Sequence, residues 1–126
     1  MSDKHFEDCV DRCKRIADEI EAYHDGRAYL DGEGDAVITD DPQDDWEPLS
    51  LRDWLDDALD IEVTAGIDGK YRSASVCVGF GGPNIYVNTK RECVELYWAS
   101  TEASWGISRD AAIDLDEIVE ELWGLR

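Results

Sequence analysis

Basic residues are scarce in this chain, whose 126 residues include 12 Lys and Arg against 31 Asp and Glu. The formal net charge is −19, and lysine occurs only four times. Nucleic acids and anionic lipids are themselves polyanions, so they repel a chain of this charge. We therefore expect no direct binding to nucleic acid and none to a membrane.

The chain also lacks long apolar runs. No stretch approaches the roughly 18 residues that a membrane-spanning helix needs. The N-terminal sequence MSDKHFEDC has no apolar region of the kind found in secretory signal peptides. We therefore expect a cytoplasmic protein, in which the four cysteines are reduced thiols.

Histidine is nearly absent, with only His5 and His24 in the sequence. Neither histidine lies in a recognisable motif for a Ser or Cys nucleophile. Paired acids of the kind used in general acid–base catalysis are so abundant here that no particular pair is informative. The sequence therefore predicts no enzyme and no cofactor.

One group of soft metal ligands falls at helical spacing. His5, Cys9 and Cys13 follow one another at intervals of four residues, so one helix face could carry all three. Zinc sites normally combine closer Cys pairs from turns with a second ligand pair elsewhere. We predict no metal site, and metal binding by these three residues stays an open alternative.

A second candidate for cation binding begins like a calcium loop, with Asp31, Glu33 and Asp35. The EF-hand template requires Gly at the sixth position and Glu at the twelfth, where this chain has Ala36 and Pro42. The mismatch at both positions argues against an EF-hand, and a loose cation site stays an open alternative.

The chain is rich in Asp and Glu, and these residues are concentrated in one part of the sequence. Residues 31–60 hold twelve carboxylates and one basic residue, Arg52. The net charge is −14 over residues 1–60, zero over 61–99 and −5 over 100–126. Localised like charge opposes folding through self-repulsion. The pattern therefore indicates either a protein of high-salt surroundings or a polyanionic face for a basic partner.

Aromatic content nevertheless predicts a folded protein. Five Trp, five Tyr and a hydrophobic content of 43% are not typical of disordered acidic chains. The length suits one domain over residues 1–126. Apolar spacing and N-cap residues predict helices over 3–28, over 51–59 after Ser50, and from Ser108 to Trp123.

The neutral middle of the chain alternates apolar and polar residues, which is typical of strands. We predict four antiparallel strands, over 61–67, 70–80, 85–88 and 93–98, and a loop before them with a short strand at 36–39. The predicted fold is α+β, a four-stranded antiparallel meander sheet packed with about three helices in the order α-α-β-β-β-β-α.

Two predicted helices carry acids where helices favour cations. Helix C-termini bear partial negative charge, yet Asp56, Asp57 and Asp60 end the second helix, and Glu117 and Glu121 lie near the end of the third. Each placement costs about 0.3–1 kcal/mol where exposed. Breaking the same local rule twice favours a functional role for these acids, although screening by solvent is the simpler alternative.

The densest acids are flanked by two tryptophans. Trp46 could anchor an interface, as aromatic hot spots do, whereas Trp54 could equally be core. We predict a partner-binding surface made of Asp31, Glu33, Asp35, Asp40, Asp41, Asp44, Asp45, Trp46, Glu47, Asp53, Asp56, Asp57, Asp60, Asp114, Glu117 and Glu121.

Two classes of function fit this surface. In the first, the acids imitate a polyanion: B-DNA carries a charge about every 1.7 Å of axis, and helical acids at i and i+4 stand ~5–6 Å apart. In the second, the protein is an acidic domain adapted to high salt, or one that binds a basic partner or a cation. Asp outnumbers Glu by 19 to 12, which suits a salt-adapted surface, but the neutral segment 61–99 argues against it.

The segment VCVGFGGPNIYVNTKRECVELYWASTEASWGISRDAAIDLDEIVEELW resembles small acidic proteins of bacterial phages and conjugative elements. A similar GFGGPNI-V-T hairpin, VELYW strand and acidic terminal helix recur there, and the resemblance covers about residues 54–123. No functional residue carries over by position, so the predicted surface depends on charge density alone.

This resemblance implies an inhibitor of a host nucleic-acid-targeting defence complex, namely an anti-CRISPR protein that acts as a DNA mimic. The implied partner is the basic DNA-binding groove of a CRISPR effector, Cascade-type in preference to Cas9-type, or that of a restriction enzyme. The implied location is the cytoplasm of the infected or host bacterium. An antirestriction DNA mimic is the nearest alternative.

Overall fold

The computed structural model of the chain describes residues 4–125, which form three helices and two antiparallel sheets. The elements in chain order are α1 (Lys4–His24), β1 (Ala28–Leu30), β2 (Ala36–Ile38), β3 (Glu47–Pro48), α2 (Leu51–Leu55), β4 (Asp60–Ala65), β5 (Tyr71–Gly79), β6 (Asn84–Asn88), β7 (Cys93–Trp98), β8 (Thr101–Gly106) and α3 (Arg109–Gly124).

The first helix forms where the apolar spacing predicts it. Cys9, Cys13, Ala17 and Ile20 lie along one face, and all four are buried. The helix ends at His24, earlier than predicted, because Gly26 adopts a φ of +78° and turns the chain away. Such left-handed backbone is open to glycine at little cost.

A small three-stranded sheet follows α1, in the order β2-β1-β3. Tyr29 of β1 pairs with Val37 on one side and Pro48 on the other. The short strand predicted near residues 36–39 is confirmed as β2. The sheet itself was not predicted, because its strands are only two or three residues long and lie among acids, Gly and Pro.

The large sheet is a five-stranded antiparallel meander in the order β4-β5-β6-β7-β8. The α+β class and the meander are confirmed, but the predicted four strands and the order α-α-β-β-β-β-α are wrong. The observed order is α-β-β-β-α-β-β-β-β-β-α. The fifth strand, β8, pairs along the whole of β7, with Trp98 opposite Thr101.

The turn that precedes β8 explains why this strand was not predicted. The two residues between β7 and β8 are Ala99 and Ser100, and Ala99 has a φ of +55°. Two-residue hairpin turns are recognised by Asn-Gly, Asp-Gly or Gly because these residues tolerate positive φ. Ala-Ser carries no such signal, so the sequence did not mark a turn there.

One face of the large sheet is the core face. Val76, Val87, Val94 and Leu96 of the three central strands are fully buried there. They belong to one hydrophobic cluster with residues of all three helices, including Leu115 of α3. Cross-strand pairing puts the alternate residues on the opposite face, which we call the polar face; one of its rows is Asp60, Cys77, Tyr86, Glu95 and Ser104.

Within residues 4–125, the structure contains no helix that is both long and apolar enough to cross a membrane.

Candidate functional site

The three helices pack against one another, and α2 contacts both of the others. The indole Nε1–H of Trp54 donates to Glu19 Oε1 of α1 at 2.9 Å, and Arg52 Nη2 donates to Glu121 Oε2 of α3 at 2.9 Å. These bonds hold Asp53 of α2, and Asp56 and Asp57 directly after it, next to the acidic C-terminal halves of α1 and α3. The prediction that α2 runs to residue 59 and ends with Asp56, Asp57 and Asp60 is wrong, because α2 ends at Leu55 and Asp60 begins β4.

The junction of α1 and α3 is built around a carboxylate. Glu21 of α1 accepts the backbone N–H of Ser108 at 2.8 Å and the Ser108 hydroxyl at 2.6 Å. Ser108 Oγ in turn accepts the N–H of Ala111 at 3.1 Å, which confirms Ser108 as the N-cap of α3. Negative charge at a helix N-terminus is favourable, so Glu21 stabilises α3 from outside the helix.

A second bond across the same junction joins His24 Nδ1 to Asp114 Oδ2 at 2.9 Å. Hydrogen bonding to the Asp114 carboxylate raises the pKa of His24 above its usual value. The protonated pair therefore stabilises the fold below about pH 6.5, the ordinary His pKa, and this contribution is lost as the pH rises through the raised value.

We expect this pair to be visible as a pH-dependent difference between wild type and a His24→Gln variant. The stability difference should be larger at about pH 5.5 than at about pH 8.5, by roughly 1 kcal/mol, because only the protonated ring forms the ion pair. Urea unfolding at the two pH values measures it, and Asp114→Asn should behave in the same way. A difference that does not change with pH would rule out the pair as its source.

The acids of residues 31–60 lie on the surface. Eleven of the twelve are exposed and Asp31 is half-buried. Within the described chain, none of them forms an ion pair with a Lys, Arg or His. The one basic residue of the segment, Arg52, bonds outside it to Glu121. This part of the surface therefore carries a charge that the described residues leave uncompensated.

Two of these carboxylates have structural roles. Asp31 Oδ1 accepts the backbone N–H groups of Glu33 and Asp35, each at 2.8 Å, and so shapes the turn between β1 and β2. Asp53 Oδ2 accepts the N–H of Ser50 at 2.8 Å, which confirms the predicted capping interaction at the start of α2. Their negative charge remains, but their orientation is set by the backbone.

The remaining members of the predicted surface divide in two. Asp114 and Glu121 are engaged with His24 and Arg52. The other exposed carboxylates of the predicted surface form no ion pair within residues 4–125, and we call this set the acidic surface: Glu33, Asp35, Asp40, Asp41, Asp44, Asp45, Glu47, Asp53, Asp56, Asp57, Asp60 and Glu117.

Both the small sheet and the segment around α2 lie beside α1. Ile38 of β2 lines a depression with the acids Asp18, Glu19 and Glu21 and with the basic residues Arg15 and Arg27, which places the small sheet beside the C-terminal half of α1. Burial, followed by the charges of Glu19, of Asp57 two residues after α2 and of Asp53 within α2, raises the pKa of Tyr23. Asp53 and Asp57 therefore lie near the face of α1 that carries Tyr23.

The two tryptophans near the acids differ in role. Trp54 is 7% exposed and belongs to the hydrophobic cluster, so it is core and the interface alternative does not apply to it. Trp46 is half-buried and lies on the segment that carries Asp44, Asp45 and Glu47. Of the two, Trp46 is the one available to a partner without unfolding α2.

Among residues 4–125, no three His, Cys, Asp or Glu side chains are grouped closely enough to hold a metal ion. Cys9 Sγ lies 3.9 Å from His5 Nε2, but Cys13 is fully buried. Burial, followed by the neighbouring Cys9 and Cys93, raises the pKa of Cys13 to about 11.

Sequence reasoning missed a buried carboxylate on the polar face. Glu95 is 9% exposed and accepts hydrogen bonds from Asn88 Nδ2 at 3.1 Å, Arg91 Nη1 at 2.9 Å and the Tyr97 hydroxyl at 3.2 Å. A buried charge is tolerated when it is paired and hydrogen-bonded. Its partners lie within seven residues along the chain, so Glu95 has a structural role in the β6–β7 hairpin.

Comparison with family models, curated proteins and solved structures found no match for this chain.

Proposed function

We propose that the chain is a non-enzymatic interaction protein whose acidic surface imitates a polyanion. The observation that carries this proposal is that the acids of residues 31–60 are exposed, Asp31 excepted, and form no ion pair among the described residues. In the neutral segment, by contrast, Asp68 pairs with Arg72 at 3.4 Å and Glu95 pairs with Arg91 at 2.9 Å. Two of the four acids of the neutral segment are thus paired, whereas the acids of residues 31–60 keep their uncompensated charge.

A groove that has evolved to hold nucleic acid offers the complementary array of Lys and Arg. Complementary potentials of this kind steer association and make it sensitive to salt. The partner class that best fits the acidic surface is therefore a basic nucleic-acid-binding groove.

Within that class, the sequence resemblance supports an anti-CRISPR protein acting in the cytoplasm of the infected or host bacterium. The proposed partner is the DNA-binding groove of a CRISPR effector, with a Cascade-type complex favoured over a Cas9-type one. The groove of a restriction enzyme is the alternative target of the same acidic surface.

A competition assay tests this proposal. Purified protein is added to Cascade-type and Cas9-type complexes with labelled target DNA, at about 50 and about 200 mM salt. Loss of DNA binding at low salt that is relieved at higher salt supports an electrostatic DNA mimic and names the partner. No effect on any effector contradicts the CRISPR assignment, and the same assay with restriction enzymes then tests the alternative.

A salt-adapted domain is the competing explanation, and β4 favours it because its exposed Asp60 and Glu62 extend the acid onto an edge of the large sheet. The two explanations differ in how strongly folding depends on salt. Screening of a localised acidic surface is expected to stabilise the fold by about 1 kcal/mol between about 20 and 150 mM NaCl, raising Tm by roughly 4 °C.

Thermal unfolding followed by circular dichroism measures this shift. A Tm that rises by a few degrees from an already folded low-salt state agrees with the polyanion proposal. A chain that is unfolded until salt approaches about 1 M, where the Debye length is about 3 Å, would instead indicate adaptation to high salt.

A further inference from the structure

A groove lies on the polar face where β4, β5 and β6 run side by side. Its volume is about 520 Å³, and its walls include Leu59, Phe80 and Tyr86, with Asp60 and Glu62 beside them. Pockets that hold drug-sized ligands measure about 300–1,000 Å³. The groove is therefore large enough to receive a side chain from another molecule.

Two apolar residues that line the groove are largely exposed to solvent. Phe80 is 78% exposed and Leu59 is 62% exposed, and they stand on different segments of the chain. Exposed apolar patches rimmed by polar groups are typical of interaction sites. The pairing of two such residues across one groove distinguishes them from isolated surface apolar residues.

The backbone holds both walls in place. The N–H of Leu59 donates to the carbonyl of Cys77 at 2.9 Å, which fixes the segment before β4 against β5. Phe80 directly follows Gly79, where an added Cβ would come within 3.2 Å of Ile85, so the chain packs closely before the exposed ring. The N–H of Gly81 then donates to Asn84 Oδ1 at 3.3 Å. The backbone that carries both walls is therefore held in place, which lowers the entropic cost of binding.

We propose that this groove docks a basic segment of the partner protein, which inserts an apolar side chain between Leu59 and Phe80 and sets Lys or Arg against Asp60 and Glu62. The inference rests on the proposed function, because it takes the same basic partner and specifies its chemistry. Charge complementarity selects this occupant: a second copy of the chain would bring its own net charge of −19, and an anionic lipid would be repelled by the two carboxylates.

The groove would add a component of binding that charge alone cannot provide. A polyanionic surface attracts any basic groove, whereas an apolar site accepts only a partner with an apolar side chain at the right place. Apolar burial is also little affected by salt screening, since it depends on area removed from water. The groove therefore supplies specificity, and the acidic surface supplies attraction.

Two short fluorescent peptides test the groove directly, one in which Arg alternates with Leu and one in which Arg alternates with Ser. The Arg–Leu peptide is expected to bind about tenfold more tightly, as burial of one leucine side chain implies. The double variant Leu59→Ser/Phe80→Ser should remove this preference and leave the Arg–Ser affinity unchanged. Fluorescence anisotropy measures both affinities.

Ile67→Ser is the matched control, because Ile67 is fully exposed in the turn between β4 and β5 and does not line the groove. It should leave the preference intact. Equal binding of the two peptides, binding of neither, or a preference that survives the double variant would each overturn the groove proposal. So would a concentration-dependent dimer that the double variant abolishes, because it would assign the groove to a second copy.

The groove proposal and the polyanion proposal can be rejected independently of each other. Binding of the Arg–Ser peptide reports attraction by the acidic surface, and the effector competition assay reports the proposed function. Full inhibition of an effector by the Leu59→Ser/Phe80→Ser variant would reject the groove as a docking site while the polyanion proposal stood.

Discussion

Converting Asp53, Asp56, Asp57 and Asp60 together to asparagine is expected to lower affinity for the target effector about a hundredfold, which corresponds to about 0.7 kcal/mol per carboxylate. All four are exposed, and none pairs with a described cation. After Asp53→Asn the side-chain amide oxygen can still accept the Ser50 N–H, so the cap of α2 is retained. The measurement is inhibition of effector–DNA binding at low salt.

A matched control separates local from global charge effects. Neutralising four exposed acids outside the acidic surface, Glu7, Asp8, Asp11 and Glu102, changes the net charge equally and should weaken inhibition far less. Asp40, Asp41, Asp44 and Asp45 form a second test set on the segment before β3. If both acidic-surface sets leave inhibition intact in folded protein, the acidic surface is not the contact.

Truncating Leu96 to alanine is expected to give the largest loss of stability, about 3–5 kcal/mol, from lost burial and the cavity that remains. Leu96 is fully buried in β7, between Ile85 of β6 and Ala103 of β8. Urea unfolding measures the effect. Leu59→Ala is the control, since Leu59 is largely exposed and should change stability by less than about 0.5 kcal/mol. Equal effects of the two variants would contradict the assignment of the core face.

Long, periodic segments were predictable because each carries its own signal. The apolar face of α1, the cap of α3 and the alternation of β7 all follow from residues close together in the chain. The small sheet was missed because strands of two or three residues are too short to show a period. The strand β8 was missed because Ala99, in the turn before it, takes positive φ without being glycine. Local propensity does not report pairing that tertiary contacts stabilise.

Of the candidate site, only the concentration of exposed negative charge could be predicted from the sequence. Exposure of the acids at 31–60 follows from their cost of burial, and the structure places eleven of the twelve at the surface. The partners that occupy Asp114 and Glu121 lie 90 and 69 residues away, so no local pattern indicates them. The groove was missed for the same reason, because Leu59, Phe80 and Tyr86 become neighbours only when three strands pair.

The contact between Glu21 and Ser108 has a consequence for how the chain is made. These residues are 87 apart in sequence, and α1 packs chiefly against β7 and β8, the last strands of the large sheet. At a synthesis rate of about 5–20 residues per second, α1 waits roughly 4–17 s for its partners to emerge. Contacts of such long range slow folding. Until residue 108 is made, the buried face of α1 lacks its final cover, and the net negative charge of residues 1–60 opposes association of that face with other chains.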